Sequence, residues 1–256
     1  MSNLIFRLHK KTALVTGASS GFGQHFSKIL AAHGANVVVT ARRLDRLESL
    51  VEEITAGGGN ALAVEMDVTN QDSVKAAFDK AEAKFGAVSV VSNNAGVADV
   101  KMAMDVDEES WDFVLDTNLK GVWRVATEAA RRMVAAEVSG SIVNTASVLG
   151  MRVSLGQSSY ATSKAAVIQL TKALALEWGR KQIRVNALCP GYFITEINED
   201  YLTSPKGEAY IRSTPAQRTG QMDEITAPFL LLASDAGSFV NGVALPVDGA
   251  HSISGL

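Results

Sequence analysis

A chain of 256 residues with 47% hydrophobic and 20% charged side chains, 21 glycines and 5 prolines can bury one large core, which excludes a disordered or fibrous protein. Its net charge of -3 offers no concentrated basic face, so nucleic acid is not an expected partner. No apolar run reaches the roughly 18–20 residues that cross a bilayer, and the N-terminal MSNLIFRLHKK has too short an apolar stretch for a signal peptide, so no membrane partner and a cytoplasmic location are expected.

In chain order, short β-branched runs predict strands at Thr12 to Thr16, Asn36 to Thr40, Ala61 to Glu65, Ser89 to Ser92, Ser141 to Thr145, Ile183 to Leu188 and Val243 to Val247. Helical patterns fall between them at Gly21 to His33, Leu44 to Ala56, Gln71 to Phe85, Glu108 to Ala136, Tyr160 to Trp178 and Asp223 to Ala233. Near-continuous apolar strands such as VVV at 37–39 imply burial on both faces. The alternation predicts an α/β protein with a single-domain Rossmann fold over residues 1–256: a doubly wound, seven-stranded parallel sheet flanked by helices. The segment from Tyr192 to Gln221 breaks the pattern after a strand's carboxyl end, where ligands bind in such sheets, and reads as a substrate loop or lid.

The first strand runs into TGASSGFG, which puts Gly17, Gly21 and Gly23 at the turn into a helix. Glycine lets the backbone approach a ligand closely, and the helix start offers free N–H groups and a positive dipole end to a pyrophosphate, so this turn is a dinucleotide site in outline. The second strand should end beside the adenosine ribose, where an acidic residue would select NAD. The chain reads VVVTARRLDRL there, and the guanidinium groups of Arg42 and Arg43 favour a 2′-phosphate, hence NADP(H) over NAD(H), with NAD(H) kept as the alternative.

Farther along, SSYATSKAAV places Tyr160 and Lys164 four residues apart at the start of a predicted helix. That spacing puts both on one helix face, though the pair alone recurs by chance. The single cysteine, Cys189, cannot form an intramolecular disulfide and lacks neighbours with metal-ligand spacing, so it reads as a small core residue and no metal is expected.

Taken in order, TGASSGFG, NNAG at 93–96, Asn118, Ser147, YATSK at 160–164 and CPG at 189–191 resemble the short-chain dehydrogenase/reductase family, in its single-domain branch, over essentially the whole chain. The resemblance implies a cofactor turn formed by Gly17, Ser19, Ser20, Gly21, Phe22 and Gly23, with Asp67 and Val68 meeting the adenine. It implies that Asn94, Ala95 and Gly96 pass along the cofactor, and that Pro190, Gly191, Phe193 and Thr195 fix the nicotinamide carboxamide. It further implies a catalytic group of Asn118, Ser147, Tyr160 and Lys164, with Tyr160 and Lys164 also at the cofactor.

In that group Ser147 orients the substrate oxygen, Tyr160 exchanges a proton with it, and Asn118 supports a water path to Lys164. A free tyrosine has a pKa near 10, and a cation within about 4–6 Å lowers it by roughly 1–3, so Lys164 is expected to bring Tyr160 into working range.

The segment VLGMRVSLGQSS after Ser147, with Leu149 and Gln157, and the later Tyr192, Tyr201 and Leu202 suggest a mostly apolar substrate lining suited to lipophilic or aromatic ketones and secondary alcohols. An alternative is the family's 3-oxoacyl-thioester reductase, whose members grip an acidic carrier with a basic pair; here Lys181 is present, but Val138 stands at the other position. A rival of another class is a non-catalytic NADP-binding sensor or scaffold. The family resemblance implies a homotetramer built on the helices Glu108 to Ala136 and Tyr160 to Trp178, where Ala165, Ala166, Ala173 and Ala175 permit close approach. Two departures from the family pattern are Phe22, in place of an aliphatic residue, and Ala250, in place of a glycine in the ending DGG.

Overall fold

The computed structural model describes residues 6–253; Met1–Ile5 of the N-terminal segment and the last three residues of the tail lie outside them. Seven parallel strands form one sheet: β1 (Thr12–Thr16), β2 (Asn36–Ala41), β3 (Asn60–Glu65), β4 (Val88–Asn93), β5 (Gly140–Thr145), β6 (Ile183–Pro190) and β7 (Ala244–Val247). Their order is β3-β2-β1-β4-β5-β6-β7, so the chain reverses its direction of travel between β1 and β4. That reversal opens a crevice at the strands' carboxyl ends, where a doubly wound sheet binds ligands.

The helices are α1 (Gly21–Ala32), α2 (Leu44–Ala56), α3 (Gln71–Phe85), α4 (Glu108–Leu115), α5 (Val122–Ala135), α6 (Ser158–Trp178), α7 (Glu199–Leu202), α8 (Pro205–Arg212) and α9 (Thr226–Ala233). Strand side chains alternate between two cores. Ala13, Val15, Val37 and Val39 meet Phe26 and Leu30 of α1, Leu47 and Leu50 of α2, and Phe229 of α9 on one face. Leu14, Val38 and Val91 meet Val74 and Phe78 of α3, Val125 and Met133 of α5, and Leu174 of α6 on the other. A period of two with both faces apolar accounts for the uninterrupted VVV run. Phe26 and Phe229 stack with centroids 4.0 Å apart, tying α1 to α9.

Three predicted segments differ from what formed. The helix expected over Glu108 to Ala136 is interrupted by a π-helical stretch, Asp116–Gly121, between α4 and α5. Gly121 packs against Val68, which a Cβ would approach to 2.8 Å, and Asn118 is fully buried, so tertiary contacts hold the wider turn. The region from Tyr192 to Gln221 contains α7 and α8 rather than an irregular loop. Ser204 accepts a hydrogen bond from the Gly207 N–H at 3.1 Å and Pro205 opens α8, both favourable at a helix start. The last predicted helix begins as a 3-10 turn, Met222–Ile225, before α9.

Candidate active site

The turn after β1 is locked to the turn after β4. Thr16 Oγ1 accepts from the backbone N–H groups of Asn94 and Ala95, both at 2.9 Å, and Asn94 Nδ2 donates to the carbonyls of Thr16 and Gly17, both at 3.2 Å. Gly17 has φ of +65°, and a Cβ there would lie 2.7 Å from the Ala95 Cα, so neither conformation nor space admits a side chain. At Gly23 a Cβ would lie 2.3 Å from the Gly17 carbonyl oxygen, which folds the turn onto the start of α1.

Ser20, at the N-cap of α1, makes no side-chain bond to the helix, which leaves the first-turn N–H groups available to an anion. Arg43 Nη2 donates to Ser19 Oγ at 2.9 Å, bringing a guanidinium from the end of β2 onto the same turn. A glycine cradle, a free helix start and a guanidinium beside them fit a phosphorylated dinucleotide.

The catalytic candidates come from three places in the fold. Ser147 follows β5, Tyr160 and Lys164 lie on the first turns of α6, and Asn118 lies in the π-helical stretch. The hydroxyls of Ser147 and Tyr160 share a hydrogen bond. Lys164 Nζ donates to the Thr145 carbonyl at 2.8 Å and lies 5.5 Å from the centroid of the Tyr160 ring. Asn118 accepts from the Val97 N–H and donates to the Val97 carbonyl, each at 2.8 Å, and donates to Ser163 Oγ at 3.2 Å.

Gly96 stands where Asn118 and Lys164 meet, because a Cβ there would be 3.3 Å from Asn118 Oδ1 and 3.5 Å from Lys164 Nζ. The amide and the ammonium thus meet at the turn after β4, with the Tyr160 ring beside the ammonium and its hydroxyl paired with Ser147. Proton exchange with a bound oxygen is what this set can do.

Comparisons with known proteins agree with this arrangement. Residues 17–251 match a family model described as enoyl-(acyl carrier protein) reductase, one of the models of the short-chain dehydrogenases and reductases. The chain belongs to the short-chain dehydrogenase/reductase family. It is 37% identical to the 3-oxoacyl-(acyl-carrier-protein) reductase of Chlamydia muridarum over 243 residues, covering 94% of this chain and 97% of that one. It is 37% identical to the gluconate 5-dehydrogenase of Gluconobacter oxydans over 251 residues, covering 98% of each. A gluconate 5-dehydrogenase from Burkholderia cenocepacia, solved with NADP and tartrate, superposes with a TM-score of 0.95 at 34% identity, covering 100% of both chains. This family member is an oxidoreductase.

Within this short-chain dehydrogenase/reductase the predicted residues divide into those at the crevice and those turned from it. Arg43 reaches the glycine turn, whereas Arg42 is exposed and has no hydrogen bond or ion pair among the described residues. Asp67 is occupied locally, its Oδ1 accepting from the N–H and hydroxyl of Thr69 at 2.8 Å, and the Val68 side chain packs under Gly121. Pro190 and Gly191 end β6, with Gly191 pressed against Asp248.

The ring of Phe193 packs edge-on to Phe22 with centroids 5.3 Å apart and also lines the cavity beside Tyr192. Phe22 also stacks on Phe26, which explains the aromatic residue at this position of the turn. Thr195 lies against Gly21, with 3.5 Å between the Thr195 Cβ and a Cβ placed on that glycine.

Among the substrate candidates, Leu149 is buried beside Val148 and Ala161, and Gln157 caps α6 with a buried Oε1 that has no hydrogen-bond partner among the described residues. Tyr192 lines a cavity of about 140 Å³ with Ile211, Ala216, Val247 and His251. Tyr201 is exposed, and Leu202 is buried beneath α8, where the close approach of Gly207 covers it; its side chain is a packing residue of the loop.

The expected depression of the Tyr160 pKa is not what the structure gives. Burial pushes the phenol above its ordinary range, only partly offset by the bond to Ser147. Lys164 is itself lowered to about 8 by burial. Its ammonium donates to the Thr145 carbonyl, and removal from water dominates the shift of the phenol. Burial also pushes the Cys189 thiol up to about 12, which makes it inert.

Sequence reasoning missed Arg46, Glu196 and Asn198. Asn198 Oδ1 accepts from the Thr195 N–H and its Nδ2 donates to the Phe193 carbonyl, both at 2.9 Å, so it holds the loop that crosses the crevice. It missed the Tyr210–His251 pair as well, joined at 2.9 Å, with Tyr192 stacked on the imidazole. The signal for these was weak: Arg46 reads as an ordinary exposed residue of α2, and the others are scattered through segments with no motif.

Proposed function

We propose that the chain interconverts a lipophilic or aromatic ketone and its secondary alcohol with NADP(H), Tyr160 serving as proton donor and acceptor. The observation that carries this reading is the meeting of Lys164 and Asn118 at Gly96, with the Tyr160 ring beside the Lys164 ammonium and its hydroxyl paired with Ser147, near a glycine turn approached by Arg43. When bound, the nicotinamide supplies or accepts the hydride at the substrate carbon. Ser147 orients the substrate oxygen through its hydroxyl while Tyr160 gives that oxygen its proton. The neutral phenol acts as the donor in reduction and its phenolate as the acceptor in oxidation.

Lys164 stabilises the phenolate that remains, and Asn118 fixes the Val97 loop that closes the back of the site. Ser19, Ser20, Gly21 and Gly23 present the pyrophosphate cradle, and Arg43 takes the 2′-phosphate. The gluconate 5-dehydrogenase structure bound to NADP supports the same cofactor here.

The apolar substrate is supported by three loops at the carboxyl edge of the sheet. Val100 and Met102 follow β4, Met151 and Leu155 follow β5, and Ile194 and Tyr201 follow β6, all exposed around the crevice. The first two loops are tied together, the Lys101 N–H donating to the Gly156 carbonyl at 3.1 Å. Exposed apolar side chains grouped in this way serve a ligand better than they serve folding.

A second reading, reduction of a 3-oxoacyl thioester, is favoured by the likeness to the Chlamydia muridarum enzyme. Against it, Val138 packs beside the core where a carrier-binding base would be needed. A homotetramer is part of the proposal, supported by Trp111, Phe113, Trp123 and Val134 exposed along α4 and α5. A cytoplasmic location belongs to it too. A panel of cyclic and aromatic ketones, gluconate and 3-oxoacyl thioesters, assayed with both cofactors, tests the substrate class. Turnover of gluconate or thioesters alone would overturn the lipophilic assignment, and no turnover of any carbonyl would favour the sensor.

A further inference from the structure

Glu196, one residue beyond Thr195 on the loop that leaves β6, reaches across the crevice to the end of β2. Its Oε1 accepts from Arg46 Nη1 at 2.5 Å, and its Oε2 lies 3.5 Å from Arg43 Nη2. The same Arg43 nitrogen donates to Ser19 Oγ, and the Ser20 side chain also bonds the Glu196 carboxylate. One carboxylate thus joins the glycine turn, the β2 arginines and the loop running into α7, segments about 150 residues apart in sequence. The Arg46 guanidinium, with a smaller contribution from Arg43, lowers its pKa further, so it is charged at neutral pH. Simple stability does not account for this arrangement, because an exposed ion pair contributes little.

We propose that Glu196 is a specificity-determining residue that competes, within the chain, with the cofactor's 2′-phosphate for Arg43 and Arg46. This rests on the NADP(H) reading above. A phosphate monoester carries nearly two negative charges, and it cannot share one guanidinium with a carboxylate without strong repulsion. Arg43 can satisfy Ser19 and a 2′-phosphate together only if the Glu196 carboxylate withdraws from it. NADP(H) therefore binds against a resident competitor, whereas NAD(H), with free ribose hydroxyls, displaces nothing.

Withdrawal is felt by the loop. Glu196 is flanked by Thr195, which lies on Gly21, and leads to Asn198, which holds the Thr195 and Phe193 backbone. The competition narrows the enzyme's preference for NADP(H) and loosens the front of the substrate loop when the phosphate arrives.

The test is titration calorimetry of NADP+, NAD+ and adenosine 2′,5′-bisphosphate into the full chain, as wild type, Glu196→Gln, Arg43→Ala/Arg46→Ala and the triple variant. Glutamine keeps the shape and removes the charge. The expected result is that Glu196→Gln tightens NADP+ and the bisphosphate by about two- to fivefold and leaves NAD+ unchanged. The same substitution should have no effect once both arginines are gone. Unchanged or weaker NADP+ binding in Glu196→Gln, or an equal gain for NAD+, would overturn the competition. Wild-type NADP+ binding that is indifferent to loss of both arginines would instead overturn the phosphate site itself, and these two failures are distinguishable in one data set.

Discussion

The ammonium of Lys164 stands 5.5 Å from the ring centroid of Tyr160 and is hydrogen-bonded to the Thr145 carbonyl, buried beside the half-buried tyrosine it is proposed to serve. Both groups are driven toward neutrality by removal from water, the phenol upward and the ammonium down to about 8. Proton donation by Tyr160 leaves a phenolate, and that anion is tolerable only while Lys164 is charged.

Ketone reduction should accordingly hold steady through neutral pH and decline as pH rises past about 8, where Lys164 loses its proton. A profile of kcat/KM for NADPH-dependent reduction checks this. The Lys164→Met variant should be slow at every pH and lack the inflection, since no titrating cation remains.

The same burial makes Lys164 a cost to the fold. Its pKa is about 8 in the folded chain against 10.5 unfolded, so the unfolded state holds more protons between those values and stability rises with pH across that window. Below about 8 the full penalty is present. Lys164→Met should raise stability at pH 7 by about 1–2 kcal/mol after loss of the bond to Thr145, with the gain shrinking toward pH 10.5. Urea unfolding at the two pH values measures it.

Ala250 adopts φ of +68°, in the left-handed region, with its N–H bonded to Asp248 Oδ1 at 3.1 Å. A Cβ in that conformation costs about 1–2 kcal/mol, partly offset by the lower entropy of unfolded alanine. Ala250→Gly should stabilise the chain by about 0.5–1 kcal/mol without changing turnover, as thermal unfolding would report.

Gly23→Ala places a methyl 2.3 Å from the Gly17 carbonyl oxygen, backbone against backbone, with no flexible side chain to yield. The expected loss is about 1–3 kcal/mol of stability together with cofactor binding, read by unfolding and by titration with NADP+. A variant that bound NADP+ normally would show that the turn does not form the cradle.

Much of the sheet was legible because the strands carry their own evidence. Thr12–Thr16 is fully apolar or β-branched, and α2 and α3 end where their periodicity ends. The motifs likewise fall at element boundaries, TGASSGFG between β1 and α1 and YATSK in the first turns of α6.

What was not legible depends on contacts distant in sequence. The π-helical stretch at Asn118 is a response to Val97 and Val68, neither of which lies near it in the chain. Glu196 meets Arg46 across 150 positions, and no local pattern marks either. The Tyr160 shift was misjudged in sign because spacing shows that Lys164 is near, but not how deeply both are buried. The packing of the Phe193 ring on Phe22 was likewise not legible, because the two lie far apart in the chain.

The central claim is that Tyr160 transfers the proton. The most direct measurement is NADPH oxidation by Tyr160→Phe with a ketone the wild type reduces, alongside its NADP+ affinity. The phenyl ring keeps the packing and removes only the hydroxyl bonded to Ser147. The expected result is a fall in kcat of about 10²–10⁴-fold with NADP+ binding retained. Turnover at the wild-type rate would contradict the account.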